Sequence, residues 1–246
     1  MRADVFVFIV AVFVLAGFVK GVIGLGLPTI SMGLLALVMP PVEAAAVLVL
    51  PSLLTNVWQM LAGPSLASAV KRLWPMMLAI CAGTWAGAGL MTGAYAPFMT
   101  ALLGAMLLLY ALSGFTAFHF HVARQGEPWL GPVVGGVTGG ITAATGVFVI
   151  PAVPYLQGIG LEKDDLVQAL GLSFTVSTLA LAVNVVRAGA IGSSQLTMTL
   201  ASLVAAIGGM WIGQALRSRL PPLAFRRCFF GGVLVLGLYL IAGALR

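Results

Sequence analysis

Long uninterrupted apolar runs dominate the chain, and only short connections separate them. Eight blocks stand out, at about 5–39, 44–61, 73–92, 98–118, 130–157, 166–186, 195–216 and 226–245. Runs of about 18 or more apolar residues predict membrane-spanning helices. They do not alternate apolar with polar positions, as lipid-facing barrel strands must. The predicted fold class is an all-α polytopic integral membrane protein. The first run outlasts the apolar core of a signal peptide and leads into further spans, so it is expected to be retained.

Two blocks are too long for one straight span of about 20 residues. Each is interrupted by glycine. Gly21-Val22-Ile23-Gly24-Leu25-Gly26-Leu27-Pro28 breaks the first, and Gly139-Gly140-Ile141-Thr142-Ala143-Ala144-Thr145-Gly146 breaks the fifth. Glycine lowers helix propensity and proline removes a donor, so each break frees peptide groups that need partners. At membrane depth only protein or a water-filled cavity can supply them.

The two breaks are related. Gly17-x-x-x-Gly21 matches Gly135-x-x-x-Gly139 at an offset of 118. Ala62-Gly63 matches Ala188-Gly189, and Gly83-Thr-Trp85-Ala-Gly87 matches Gly209-Met-Trp211-Ile-Gly213, both at an offset of 126. A longer loop at Gly158–Asp165 accounts for the difference. The chain therefore reads as one membrane domain, 1–246, with repeat 1 at 5–118, repeat 2 at 130–246 and a linker at 119–129.

Charge adds an orientation. In the first half Lys71 and Arg72 lie between blocks two and three, and the next connection, Thr92 to Pro97, is uncharged. In the second half Gly189 to Gln195 is uncharged, and the following connection carries Arg217, Arg219, Arg226 and Arg227. Equivalent connections with opposite charge imply halves facing opposite ways, with broken helices at the start of each. Five crossings per half put Lys71, Arg72, Arg124, Lys163, Arg217, Arg219, Arg226 and Arg227 on one side, and Arg2, Arg187 and Arg246 on the other. The positive-inside rule then places both termini outside the cytoplasm. The segments after the breaks are short enough to be re-entrant instead of full crossings.

Composition narrows the function. Hydrophobic residues make up 61% and charged ones 7% of the 246, too few charges for a soluble fold of this size. The net charge of +6 follows from positive-inside loops, and no basic stripe interleaved with aromatics suggests nucleic acid. Cys81 and Cys228 lack ligand-like spacing and read as packing residues. No nucleophile–base set, carboxylate pair or phosphate-binding loop is present, so neither an enzyme nor a cofactor is expected. An intramembrane carboxylate that could relay protons is not evident either.

The break motifs and the paired halves resemble the TauE/SafE family of sulfite-exporter-like membrane proteins. The resemblance covers essentially the whole chain. It rests on Gly17-Phe-Val-Lys-Gly21-Val-Ile-Gly24-Leu-Gly26, on Gly135-Gly-Val-Thr-Gly139 followed by Pro151, and on Leu220-Pro221-Pro222…Phe225-Arg226-Arg227. It implies a multi-pass transporter in the cell inner (plasma) membrane that moves sulfite, sulfonates or related organic anions. Two departures stand out: Gly24-Leu-Gly26-Leu-Pro28 replaces a longer glycine run, and the second break has Thr142-Ala-Ala-Thr145 in place of glycines. The expected partners are a small anionic solute and the lipid bilayer; a homo-oligomer is left open.

Lys20 is the most informative residue. It adjoins the first break with no acidic neighbour, and a lysine at the bilayer centre costs about 2.5–3.5 kcal/mol on insertion scales. Either it faces a polar cavity and attracts an anion, or it snorkels to the headgroups. The breaks, including Gly24 and Gly26, suit an anion too. A half-helix restarting at Pro28 or Gly146 would offer N–H groups and a positive dipole end, with Thr29, Ser31, Thr142 and Thr145 adding hydroxyls. Ser52, Thr55, Asn56 and Gln59 share one helical face, and Ser173, Ser177 and Asn184 share another. Such polar groups should point inward, to hold a solute or to join helices.

Glu43, Asp164 and Asp165 start helices and read as dipole partners. Trp85 and Trp211 are expected to pack. Three function classes follow: a secondary anion carrier using Lys20 and the breaks, a non-transport membrane assembly or structural protein, and a metal-ion permease using His119, His121, Glu43 and Asp165. Export of a monovalent anion is favoured by about 2.3 kcal/mol per 100 mV of negative-inside potential, so export needs no coupled ion.

Overall fold

The computed structural model describes residues 3–92, 95–116, 121–190 and 192–244. Ten helices fill most of that length, and no strand occurs among the described residues. They are α1 (Ala3–Ile23), α2 (Leu27–Leu35), α3 (Pro41–Leu61), α4 (Leu66–Ala86), α5 (Ala96–Thr116), α6 (Glu127–Thr145), α7 (Ala152–Gly158), α8 (Lys163–Arg187), α9 (Ser193–Leu216) and α10 (Pro222–Ala244). Six of them are long and apolar enough to cross a membrane: α1, α3, α5, α8, α9 and α10. At nine and seven residues, α2 and α7 rise about 13 Å and 10 Å, well short of a hydrocarbon core of about 30 Å.

Glycine decides which helices touch. α1 packs on α9, and α4 on α6. A Cβ on Gly17 would run into the Ala206 carbonyl, and one on Gly21 into that of Met210. From the facing side, Gly209 and Gly213 meet the carbonyls of Val14 and Phe18. Residue numbers rise together along this seam, so α1 and α9 run parallel. The α4–α6 seam repeats the arrangement, with Gly135 on the Met76 carbonyl, Gly139 on that of Ile80 and Gly83 on that of Gly136. Only residues without side chains let two backbones approach this closely, where van der Waals contact carries helix association in lipid.

Two further pairs run antiparallel. α5 and α10 cross where Gly104 and Gly237 face each other's carbonyls. α3 and α8 pair through amides. Gln168 donates to the carbonyls of Met60 (2.7 Å) and Gly63 (2.8 Å) and accepts from the Ser65 N–H (2.7 Å). Gln59 donates to the Val167 carbonyl at 3.1 Å.

These contacts collect one set of helix ends. Arg72 at the start of α4 forms an ion pair with Glu127 at the start of α6 (2.6 Å) and donates to the Ile159 carbonyl just past α7 (2.8 Å). The Val122 N–H donates to the Gly158 carbonyl at 2.9 Å. Arg226 near the start of α10 donates to the Gly114 carbonyl near the end of α5 at 2.8 Å. Lys71, Arg72, Arg124, Lys163, Arg217, Arg219, Arg226 and Arg227 therefore all sit toward this end. Arg187 lies at the opposite one, and Arg2 and Arg246 lie outside the described residues.

Two expectations need correction. The chain does not restart as a helix at Gly146. That residue caps the C-terminus of α6 in the left-handed region (φ 71°), with its N–H on the Thr142 carbonyl, and α7 begins only at Ala152. The Thr145 hydroxyl accepts from the Val147 N–H, so the free groups here are used in ending a helix. Trp85 and Trp211, expected to pack, are instead exposed on the outer surface. The glycines beside them make the seams, so the rings are turned away from the partner helix.

Candidate functional site

The α1–α9 seam sets the direction of Lys20. Gly17 and Gly21 fix that face of α1 against α9, and Lys20, between them in sequence, is only 5% exposed. Its ammonium donates to the Thr55 hydroxyl at 3.0 Å and to the Asn56 side-chain carbonyl. Lys20 is therefore turned into the protein, and the snorkelling alternative fails. Of its three N–H donors, these bonds use two. Among the described residues the sole ion pair is Arg72–Glu127, so no carboxylate neutralises Lys20 there.

The acceptors are themselves held. The Asn56 amide donates to the hydroxyls of Ser52 (3.1 Å) and Thr178 (3.3 Å), which leaves its carbonyl oxygen toward Lys20. Ser52 and Thr178 hydroxyls also lie 3.3 Å apart, joining α3 to α8. Thr55 donates to the Pro51 carbonyl at 2.8 Å, and Thr178 to that of Phe174 at 2.7 Å. Ser52, Thr55, Asn56 and Thr178 are each no more than 2% exposed. The result is a buried polar cluster around the Lys20 amine where α1, α3 and α8 meet. An anion arriving there would meet the Lys20 amine and the one N–H that its bonds to Thr55 and Asn56 leave unused. Such a donor is worth far more in a low-dielectric interior than in water.

Of the residues singled out in the sequence, the cluster joins Lys20, Ser52, Thr55 and Asn56. Gln59 lies one turn further along α3 and bonds across to α8, its carbonyl oxygen without a partner among the described residues. Thr29 and Ser31 in α2 and Ser173 and Ser177 in α8 are fully buried, with no hydrogen-bond partner for their hydroxyls among the described residues. Thr142 and Thr145 bond back to the Thr138 and Ile141 carbonyls of their own helix, both at 2.7 Å. Asn184 donates to the Thr84 carbonyl at 2.7 Å and ties α8 to α4.

The first break turns on Gly24 (φ 79°) and Gly26 (φ 105°), backbone conformations L side chains rarely adopt. A Cβ on Gly26 would also crowd Val19 and Phe229. The two breaks come together in space, because Met32 of α2 packs where a Cβ on Gly146 would sit.

Thr178 and Gln168, buried polar residues not singled out from the sequence, both bridge helices. Thr178 lies 126 residues from Ser52, the same offset as between the two Gly-x-Trp-x-Gly motifs, so pairing polar positions at that offset would have found it. Gln168 is an amide near the start of a spanning helix, and the rule applied to Gln59 covers it equally.

The metal-permease set does not assemble. Glu43 starts α3 and Asp165 starts α8, and these antiparallel helices put the two carboxylates at opposite ends of the array. His121 is exposed, and His119 lies outside the described residues. Glu43 and the pair Asp164 and Asp165 do occupy first helical turns.

Comparison with known proteins gives one family. The family described as sulfite exporter TauE/SafE matches residues 9–240. No curated protein and no solved structure matches the chain.

Proposed function

The chain belongs to the TauE/SafE sulfite exporter family and is a multi-pass membrane transporter, and we propose that it carries a small anion, sulfite or a sulfonate, past Lys20 by alternating access. The observation that carries this reading is the buried Lys20 ammonium, bonded to neutral Thr55 and Asn56 and to no carboxylate among the described residues. A lysine kept for structure alone would gain more from an acidic partner, since an unpaired buried charge is costly. An anionic solute supplies the missing charge for the time it is bound.

The parallel seams support two oppositely oriented halves broken near their starts. If the chain is two repeats in one direction, α1 and α6 run the same way, and so do α4 and α9. Parallel contacts of α1 with α9 and of α4 with α6 would then need α1 and α4 to run alike too. The α3–α4 connection, the bonds from Arg72, and the seam glycines instead favour an α1 that descends toward the basic end and an α6 that rises from it. The basic end is then cytoplasmic.

In this reading Ser52 and Thr178 are equivalent positions touching each other, which puts them on the two-fold axis near the membrane midplane. Asn56 is one turn from Ser52, about 6 Å along α3. Lys20 therefore reaches a site close to the midplane, where inverted-repeat carriers hold their solute. The tight α1–α9 and α4–α6 seams would move as units, rocking around α3 and α8 to open the site to one side and then the other.

Flux of radiolabelled sulfite from reconstituted vesicles, with an imposed potential, tests the proposal. Wild-type protein is expected to carry sulfite, and Lys20→Ala to lose the flux with melting behaviour retained. Normal flux in Lys20→Ala would remove this residue from the site. No flux of any anion in the wild type would return the chain to the assembly-factor reading.

A further inference from the structure

We infer that a second anion site lies on the pathway, a capture site in the basic-end cavity between α5, α7 and α10, built on Arg226 and Tyr110 and taking a small oxyanion before or after it visits Lys20. The inference rests on the anion-carrier reading but on different residues. The cavity is about 280 Å³, and Tyr110, Gln157 and Arg226 contribute its polar side chains together with Ser113. Its wall also includes Ile23 and Leu25, the segment joining α1 to α2 just beyond Lys20. It thus opens at the basic end and reaches the first break.

Arg226 is held there by its surroundings. Its guanidinium donates to the Gly114 carbonyl at 2.8 Å and lies 5.7 Å from the centre of the Phe230 ring. Phe230 in turn meets Tyr110 edge-on at 5.2 Å. A Cβ at Gly114 would enter the Phe230 ring, so glycine is what lets the ring sit beneath the arginine. A guanidinium has five N–H donors, and the Gly114 bond uses one of them. Among the described residues no carboxylate pairs with Arg226.

Tyr110 gives an independent sign of a ligand. It is 3% exposed, and its hydroxyl has no hydrogen-bond partner among the described residues. A buried phenol in that state has given up its hydrogen bonds to water and received none in return. An oxyanion in the cavity accepts from the phenol and from the guanidinium at once. A cation would face the arginine's repulsion, and an apolar ligand would leave the phenol unsatisfied. The Phe225-Arg226-Arg227 motif, which the central site leaves unexplained, thereby acquires a role.

The test uses full-length protein in membranes, with Cys81 and Cys228 replaced by alanine and Gln157→Cys as reporter. A sulfonate-bearing thiosulfonate reagent and its trimethylammonium analogue compete for the thiol. With one positive charge lining the same cavity, the sulfonate reagent should react about fivefold to tenfold faster relative to each reagent's rate on a free thiol. Arg226→Gln should abolish the preference and Arg226→Lys should restore most of it. Methanesulfonate, an oxyanion inert toward thiosulfonates, should slow labelling, and Tyr110→Phe should weaken that protection by roughly threefold to tenfold.

Equal rates for the two reagents in protein carrying Arg226 would overturn the inference, and so would a preference that survives Arg226→Gln. Labelling requires no turnover. Loss of flux in Lys20→Ala without a charge preference at the reporter thiol would therefore retain the central site and remove this one. A charge preference in a protein that moves no anion would do the reverse.

Discussion

Lys20 of α1 donates its hydrogen bond to the side-chain carbonyl of Asn56, an amide, in a place where a carboxylate of the same shape would fit. The difference matters for function. Asn56 satisfies the ammonium without cancelling its charge, and its own N–H groups are tied to Ser52 and Thr178 so that it cannot turn over.

Asn56→Asp exchanges an amide for an isosteric carboxylate and closes an ion pair on Lys20. Sulfite affinity should fall at least about tenfold, while the melting temperature holds or rises. Flux kinetics and thermal melts on the same preparation check both halves. Unchanged affinity would mean that the solute does not meet Lys20.

The seams predict opposite outcomes for neighbouring glycines. A Cβ at Gly139 meets the Ile80 carbonyl and one at Gly209 that of Val14, whereas Gly140 and Gly208 have open space. Gly139→Ala and Gly209→Ala should each destabilise by about 1–3 kcal/mol through forced separation of backbones. Gly140→Ala and Gly208→Ala should be neutral or slightly stabilising, since alanine is the better helix former. Melting in detergent ranks the four, and equal behaviour of a seam glycine and its neighbour would contradict the seam.

Gln168 is a tie between α3 and α8, and the proposed solute path does not include it. Gln168→Met removes its bonds to Met60, Gly63 and Ser65 and should cost roughly 2–3 kcal/mol. The predicted signature is a lower melting temperature with the KM for sulfite unchanged. A raised KM at normal stability would place Gln168 in the pathway.

The proposed inversion of the halves fixes where two loops should lie. A cysteine introduced at Thr92, between α4 and α5, should react with a membrane-impermeant reagent only from outside, and one introduced at Arg219, between α9 and α10, only from the cytoplasm. Labelling of both from one face would exclude inverted halves.

How far the sequence reached depended on the range of the interaction. Apolar runs report burial in lipid residue by residue, so the helical membrane character was legible without any partner being known. The matching Gly-x-x-x-Gly and Gly-x-Trp-x-Gly pairs were visible as strings, and Lys20 stood out because charge is costly in a bilayer. Family membership followed from the same glycine order.

What the strings could not contain was which glycine meets which backbone. Gly17 and Gly21 are spent on α9, and Gly135 and Gly139 on α4, contacts made between distant segments. The direction of Lys20, inward to Thr55 and Asn56 instead of outward to headgroups, is a consequence of that α1–α9 seam. Thr178 enters the cluster only because α3 and α8 cross there, and Gly146 ends a helix because its position against Met32 and its left-handed backbone leave no room to begin one. Sequence alone determined that this protein lives in a bilayer and carries a lysine beside a break. Tertiary packing decided what that lysine touches, because hydrogen bonds and backbone contacts between helices depend on register and rotation that no single helix possesses.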